Sequence, residues 1–503
     1  MSSEREAKLI ASAAVRLPDL DGLVAGTSTV ALVERQLDAI YYDTAQLDLA
    51  RWGITLRHRS GESGPPWTLK LPEGEGGSAL VRRELSFEGP PSTVPAAVRD
   101  LIRAYVRSRP LIEVARLRTD RSPLEVRDAA GQRVAEIVDD RVTVYRGQRR
   151  TDEFREIEVE VLVPERVGDR VLTAAVDGLV AAGCVAEPPV PKLVRALGPP
   201  ALEPPELIVP PLERDIPLGG LVRHALARSV IQILRHDPGV RLGEDPEDVH
   251  QFRVGTRRLR SDLRTFAPLL EPAPLQELRD ELRWLGSAVG AVRDADVLAE
   301  RLRAQARTLP EPDAPGVQLL LSLLAGQADA ARMAMLSALV SSRYVALVDA
   351  LVTAANNPPI RPERAEQANR RAARAAARFV RRPWRRLTDA VAALGDDPSD
   401  PALHNVRILA KRCRYAAEAV APVADRRAAA FAAALADVQT VLGDHQDTVI
   451  AEAWLRDAAA AIPEGGIAAG ELILLQRCQR ATLRAQWPPT WKEASSKKLC
   501  SWI

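Results

Sequence analysis

The chain of 503 residues is short of several residue types, and each shortage removes a class of chemistry. Its four cysteines, Cys184, Cys413, Cys478 and Cys500, form no CxxC pair and no Cys/His spacing of a zinc site, which predicts reduced, mostly buried thiols in a reducing compartment. Aromatic residues make up only 4% of the chain. Single-stranded nucleic acid needs aromatic platforms beside its cations, so with so few rings and no recognition-helix or zinc motif, no nucleic acid is expected as partner. The most apolar stretch, Val317 to Val340, is broken by Asp329 and Arg332. With no basic-apolar-small signal at the start, no membrane is expected and a cytoplasmic location is. Lysine is also scarce, with 7 lysines leaving 69 − 7 = 62 arginines. Where a chain otherwise uses arginine, a retained ammonium marks a place for a compact point charge. The net charge of +2 is too small to indicate a partner, so any basic function is local.

One basic motif occurs twice. His250-Gln-Phe-Arg253-Val-Gly-Thr-Arg257-Arg258-Leu-Arg260 and His404-Asn-Val-Arg407-Ile-Leu-Ala-Lys411-Arg412-Cys-Arg414 share the pattern His-x2-Arg-x3-(Arg/Lys)-Arg-x-Arg at a separation of 154 residues. Offsets of 0, 3, 7 and 10 fall on one helical stripe. Such a ladder of cations repels itself unless an anion lies along it, and its repetition points to an extended polyanion. The bland alternative is a solvated face carrying ion pairs to acidic neighbours, yet from Arg253 to Arg264 the only acid is Asp262. Phe252, Leu259, Leu263 and Phe266 beside the first stripe, and Val406, Ala410, Cys413 and Ala417 beside the second, mark the packing sides. A further echo relates Gly290 and Asp294 to Gly443 and Asp447, with the aspartates read as orienting arginines.

Composition divides the chain. Up to about residue 198 it reads as short alternating segments between Gly/Pro turns, such as Gly53 to Arg59, Trp67 to Leu71 and Arg155 to Val161, with helical interludes near 94–108 and 167–182. Seven prolines between Gly198 and Pro217 predict an extended linker over 199–217. An all-helical, internally duplicated domain follows over 218–487, and 488–503 reads as an atypical tail. The expected fold is thus multidomain, an antiparallel β domain followed by a helical bundle.

In the first domain, charged residues share faces. Glu4, Glu6 and Lys8 alternate, and Glu156, Glu158 and Glu160 alternate against Ile157, Val159 and Val161. Arg57 with Arg59, Lys70 with Thr68, and Arg82 with Glu84 repeat the habit. Inward carboxylates are costly unless neutralised, which suits a hard divalent cation such as Mg²⁺ or Mn²⁺, and arginines and lysines suit phosphate oxygens. Asp43 and Asp139 fit equally as metal ligands or as turn residues.

The ordered set Glu4-x-Glu6-x-Lys8, Tyr41-Tyr-Asp-Thr44, Gly53-x-Thr-Leu-Arg57-x-Arg59, Thr68-Leu-Lys70, Arg82-x-Glu84 and Glu156-x-Glu158-x-Glu160 resembles the CYTH family of triphosphate tunnel metalloenzymes across residues 1–198. That resemblance implies a closed eight-stranded tunnel that acts on a triphosphate with a divalent metal. It places Glu4, Glu6, Glu158 and Glu160, with Glu156 and with Asp139 or its neighbour Asp140, at the metal, and Lys8 beside them as a catalytic residue. Arg57, Arg59, Lys70, Arg82, Arg121 and Lys192 would grip phosphate oxygens. Residues 214–487 resemble the CHAD domain, which implies binding of inorganic polyphosphate by His250, Arg253, Arg257, Arg258, Arg260, His404, Arg407, Lys411, Arg412 and Arg414.

The resulting expectation is a cytoplasmic, Mg²⁺- or Mn²⁺-dependent inorganic triphosphatase with a polyphosphate-binding domain, associated with polyphosphate granules. The rivals are a non-catalytic polyphosphate scaffold and an enzyme for an organic triphosphate, of the adenylyl cyclase or thiamine triphosphatase type.

Overall fold

The computed structural model describes residues 5–72, 82–163, 165–186, 190–213, 215–424 and 426–503. Glu4 lies outside them. The chain divides into two compact units, Met1–Glu206 and Leu207–Ile503, a division inside the proline-rich stretch. Pro199–Leu202 form a 3₁₀ turn with Ala201 buried, so the start of that stretch is packed.

The first unit is one antiparallel sheet of ten strands: β1 (Arg5–Ala11), β2 (Ser28–Ala31), β3 (Arg35–Asp43), β4 (Thr55–Ser60), β5 (Trp67–Pro72), β6 (Arg82–Phe87), β7 (Ile112–Arg127), β8 (Arg133–Arg146), β9 (Arg149–Val161) and β10 (Val185–Ala186). The order is β10-β1-β9-β8-β7-β3-β4-β5-β6, with β2 beside β7. The two strands beyond the expected eight come from short pieces such as β2 and β10, of four and two residues. Among the described residues, the end strands β6 and β10 do not pair with each other.

Strict alternation gives the sheet two unlike faces. On one, Leu9, Ile137, Ile157 and Val159 pack against Val171, Ala175 and Leu179 of α4 (Glu165–Ala181), which follows the short helices α1 (Asp48–Arg51), α2 (Ala96–Leu101) and α3 (Arg103–Val106). The opposite face carries the charges. At one end of that charged face Leu193 and Leu197 of α5 (Lys192–Leu197) pack on Ala39, Leu117, Val142 and Val144, which aims Lys192 toward the middle. Asp43 is a turn residue. Its buried carboxylate accepts the backbone N–H groups of Thr44 (2.7 Å), Leu49 (2.9 Å) and Ala50 (2.9 Å), fixing the entry to α1.

The second unit is helical: α6 (Leu218–Leu242), α7 (Pro246–Thr265), α8 (Pro272–Ala306), α9 (Ala314–Val340), α10 (Ser342–Asn356), α11 (Ala365–Ala368), α12 (Ala376–Ala392), α13 (Asp400–Val420), α14 (Arg426–Ala461), α15 (Gly466–Ala494) and α16 (Lys497–Cys500). The first basic motif lies on α7, which Asp245 caps by accepting the N–H of Glu247 at 2.8 Å, with Pro246 at the first helical position. The second lies on α13, packed against α7. The apolar residues flanking both motifs are buried as their spacing predicts. Gly255 lets α6 approach α7 closely, since a Cβ there would lie 3.0 Å from Cγ1 of Ile233 and 3.2 Å from the Ser229 carbonyl.

Two differences from the sequence reading concern the last residues and the thiols. Residues 488–494 continue α15, with Trp487 and Ala494 buried, Trp491 5.5 Å from Trp384, and Trp502 6.0 Å from Phe431. The tail's two tryptophans, Trp491 and Trp502, supply apolar area that its lysines and serines obscure. Cys184 and Cys413 are buried, but Cys478 is exposed and Cys500 half-buried. The apolar run ending at Val340 forms α9, long and apolar enough to cross a membrane, with Leu320, Leu324, Met335 and Leu339 as its buried residues.

Candidate functional site

Register brings the predicted residues of the first unit onto one face. Glu6 stands opposite Glu160 and Lys8 opposite Glu158 across β1 and β9. Glu156 stands opposite Asp140, and Asp140 opposite Arg121. Farther along the sheet Tyr41 faces Arg57, Ala39 faces Arg59, and Lys70 faces Glu84. Directly opposed residues in antiparallel strands share a face. An acidic bank on β1, β9 and β8 is therefore set apart from a basic bank of Arg57, Arg59, Lys70 and Arg82 on β4, β5 and β6.

Ammonium groups hold the acidic bank together. Lys8 Nζ lies 2.5 Å from Glu158, 3.5 Å from Glu6 and 3.8 Å from Glu156. Lys192 lies 2.7 Å from Asp140, 2.9 Å from Glu158 and 3.5 Å from Glu156. Arg121 donates two hydrogen bonds to Asp140, at 2.8 and 2.7 Å, and approaches Glu158 at 3.5 Å. Burial alone would raise Glu158, but Lys192 and Lys8 outweigh it and hold that carboxyl well below its ordinary range. Burial likewise opposes the charge on Lys192, and Glu158, Asp140 and Glu156 reverse the sign, leaving it raised. Glu156 differs. Burial, reinforced by Glu158, leaves its pKa raised despite the two lysines.

In the basic bank, Lys70 pairs with Glu84 at 2.6 Å, Arg57 lies 4.0 Å from Glu84, and Arg59 pairs with Glu62. Burial opposes ionisation of the Tyr41 phenol, but Arg57, which donates a hydrogen bond to it, prevails with help from Lys192 and Arg59, and its pKa is lowered.

Two aspartates adjacent in sequence separate here. Asp140 faces the charged side, whereas Asp139 pairs with Ile157 on the opposite face and receives two hydrogen bonds from Arg155, both at 2.7 Å. The expectation of Asp139 at a metal is thus replaced by Asp140 on the charged face. The physical reason is the pleat, which sends successive side chains to opposite sides.

Glu6, Glu156, Glu158, Glu160 and Asp140 are hard oxygen donors, the class that Mg²⁺ and Mn²⁺ take. Both oxygens of Glu156 are buried without a hydrogen-bond donor, an arrangement a cation would satisfy. No three acidic or histidine side chains among the described residues converge as a ready-made metal cage, because Lys8 and Lys192 occupy the space between the carboxylates. In kind, the donor set fits a divalent cation.

In the second unit, α7 and α13 line three cavities that meet end to end. The first, about 210 Å³, is lined by His250, Arg253 and Arg257 with Arg293, Arg301 and Arg407, and also by Asp294 and Asp447. It shares Arg257 with a second of about 220 Å³, which adds Arg260, Arg264, Lys411 and Arg412. That cavity in turn shares Ser261, Arg264 and Arg412 with a third of about 630 Å³. Arg253 pairs with Asp294 at 2.6 Å, so this aspartate does orient an arginine. Nε of Arg257 and of Arg407 and Nδ1 of His404 are buried without partners. Burial, with Arg257, Arg407, Arg253 and Arg260 around it, lowers Lys411 to about 7. Arg257 and Arg260 are lowered for the same reasons, and so is His250.

Arg258 and Arg414 leave this groove. Both bind Glu418, at 2.7 Å each, and Arg258 and Glu418 line a separate cleft with Asp262. Glu418 lies 154 residues after Arg264, so the duplicated motif carries opposite charges at this position.

Residues 2–173 match the CYTH domain family and residues 224–456 the CHAD domain family. Two Mycobacterium tuberculosis proteins, the uncharacterized proteins MT2285 and Rv2226, are each 32% identical to this chain over 464 residues, covering 89% of it and 87% of their own length. The chain belongs to the CYTH–CHAD family. Among solved structures, it resembles PptA from Streptomyces chartreusis (28% identity, 55% of this chain and 99% of that one, TM-score 0.47). It also resembles the CHAD domain of the plant Ricinus communis (32% identity, 57% and 94%, TM-score 0.47). The CYTH family is associated with triphosphate-related activity, and its tunnel enzymes generally use divalent metals.

The sequence reading of this CYTH–CHAD chain missed several groups. Tyr41 and Glu84 stood inside quoted motifs, but nothing in a single strand shows that they touch Arg57. Arg293 stood beside Asp294, whereas Arg301 and the arginines of α12 lie outside any repeated motif. Arg118, three residues before Arg121, turns away from the acidic bank and lies over the ring of Tyr145 at 5.5 Å.

Proposed function

We propose that the CYTH unit hydrolyses inorganic triphosphate with Mg²⁺ or Mn²⁺ and that the CHAD unit binds inorganic polyphosphate, in the cytoplasm and at polyphosphate granules. The observation that carries the reading is the separation of acidic and basic banks on one sheet face. Phosphoryl transfer needs chiefly charge neutralisation and in-line positioning, and the two banks supply both. A divalent cation held by Glu6, Glu158 and Glu160, with Glu4 and Glu156 in support, would offset phosphate charge and acidify water. Arg57, Arg59, Lys70 and Arg82 hold the oxygens of the chain, and Arg121 and Lys192 steady the phosphorus nearest the carboxylates. Lys8 keeps Glu158 ionised and holds Glu158 and Glu6 in line. Attack of water on a terminal phosphorus breaks the bridging P–O bond and releases orthophosphate and pyrophosphate.

The test is phosphate release from tripolyphosphate, with ATP and thiamine triphosphate as competitors. The expected result is release with Mg²⁺ or Mn²⁺ that Glu6→Ala abolishes. No release with either ion sinks the enzymatic reading, and a preference for ATP or thiamine triphosphate moves it to an organic substrate.

For the helical unit, support comes from the run of cavities along α7 and from the buried, unpartnered nitrogens of Arg257, Arg407 and His404, which await an anion.

A further inference from the structure

The third cavity lies outside every predicted site residue except Arg412. Arg264, Arg279, Arg378, Arg382, Arg386 and Arg412 line it, together with Arg361, which donates to the Leu270 carbonyl at 2.7 Å. No carboxylate lines it, and none of those first six forms an ion pair among the described residues. We propose that this arginine chamber is a second phosphate-chain subsite, filled only by chains long enough to run the length of α7, so that the helical unit discriminates by chain length. The inference rests on the groove's binding polyphosphate.

The protein contains its own comparison. At positions 154 residues away from Arg264 and Arg412 stand Glu418 and Arg258, and these line the corresponding cleft with Asp262, His224 and Arg228. There Glu418 accepts from both Arg258 and Arg414, and the cleft has closed to about 20 Å³. Where the repeat supplies its own carboxylate, the cavity is gone. Where it supplies Arg264 instead, the cavity stays open at about 630 Å³ with its charges unanswered. Mutual repulsion of unpaired guanidiniums is stable only if solvent or an anion screens them. Consistently, burial and the facing Arg412 and Arg279 lower Arg264 to about 10, and burial with Arg364 and Arg370 lowers Arg378.

Position supplies the length dependence. The groove begins at His250 and reaches the chamber at Arg264, a span of about 21 Å along the axis at 1.5 Å per residue. A short chain satisfies the first cavity alone. A longer one passes Arg257, Lys411 and Arg412 and enters the chamber, whose volume, about three times that of either preceding cavity, can hold a turned chain.

The experiment uses the full chain and polyphosphate fractions of graded length at fixed ionic strength. In the wild type, affinity should step upward once the chain spans the groove. Arg378→Gln/Arg382→Gln/Arg386→Gln, made on the exposed face of α12, should remove the step, weakening long chains about tenfold or more while leaving short ones unchanged. Arg264→Glu, which copies the other repeat, should do the same by closing the chamber. Equal weakening at every length, or none, overturns the inference. Arg253→Gln/Arg407→Gln serves as the control for the groove itself and should weaken all lengths. If it does so while the α12 variant binds long chains normally, only the chamber is refuted; if the wild type binds no chain at all, the groove reading falls too.

Discussion

The sheet face and the helical groove hold the same kinds of cationic side chain in opposite electrostatic conditions. On the sheet, Lys8, Lys192 and Arg121 sit among carboxylates, and the pKa of each is raised. In the groove, Arg257, Arg260 and Lys411 sit among cations, and each is lowered. The sheet site is internally neutralised, so on the proposed reading a phosphate chain would enter well only if a cation took over the carboxylates its lysines now serve. The groove is largely cationic, with Asp294 pairing only Arg253, so on the proposed reading an anion alone would complete it. Under the proposed function, a metal-dependent reaction and metal-independent capture would follow from that one difference in partners.

The comparison breaks most readily at Lys192. Lys192→Ala leaves Asp140 and Glu158 facing each other with less positive charge, so triphosphate hydrolysis should fall about 100-fold or more and the thermal midpoint should drop, with polyphosphate retention unchanged. Steady-state kinetics and a thermal melt on the same preparation check both. Loss of activity without any loss of stability would show that Lys192 is not neutralising the bank.

The mirror-image change is next. Arg253, Arg257, Arg407 and Lys411 changed together to Ala should reduce polyphosphate affinity about 100-fold and flatten its salt dependence, yet raise the thermal midpoint by relieving repulsion, with hydrolysis spared. Opposite signs of the stability change in the two variants are the sharpest statement of the difference. A lower midpoint in this variant would contradict it.

The smallest effect is a pH dependence. With its folded pKa near 7 and its unfolded value at 10.5, Lys411 binds fewer protons in the folded state across that window, so the stability of the ligand-free protein rises with pH there. The groups facing it are Arg253, Arg257 and Arg260 of α7, Arg264 and Arg412 along the cavity, Arg407 of its own helix, and Tyr415. Bound polyphosphate would restore the charge, so binding should take up a proton, and affinity should fall by up to about tenfold per unit as pH rises above 7. Titration calorimetry in buffers of different ionisation enthalpy reads the uptake. Lys411→Arg should be nearly independent of pH over the same range, and equal slopes in the two proteins would refute the assignment.

Much of the architecture was legible because it is periodic. Glu156, Glu158 and Glu160 alternate with Ile157 and Val159, and the 3.6-residue repeat of α7 and α13 separates Phe252 and Val406 from the arginines. Asp139 and Asp140 could not be told apart, because either could face inward until the register of β8 on β9 is known. The α12 arginines were missed because no repeat marks them; only the fold turns them toward Arg264 and Arg412. The tail was set aside on composition, although its tryptophans find partners far away in sequence.

What the sequence determined by itself is which residues share a face, since strand and helix periods are local properties of the chain. What the tertiary structure decided is the company each charge keeps. Lys192 meets carboxylates of β8 and β9, Lys411 meets arginines of α7, and Arg264 meets the open chamber that Glu418 closes in the other repeat. Coulomb and desolvation energies depend on distances between segments far apart in sequence, so the sign of each pKa shift was fixed only when the chain folded.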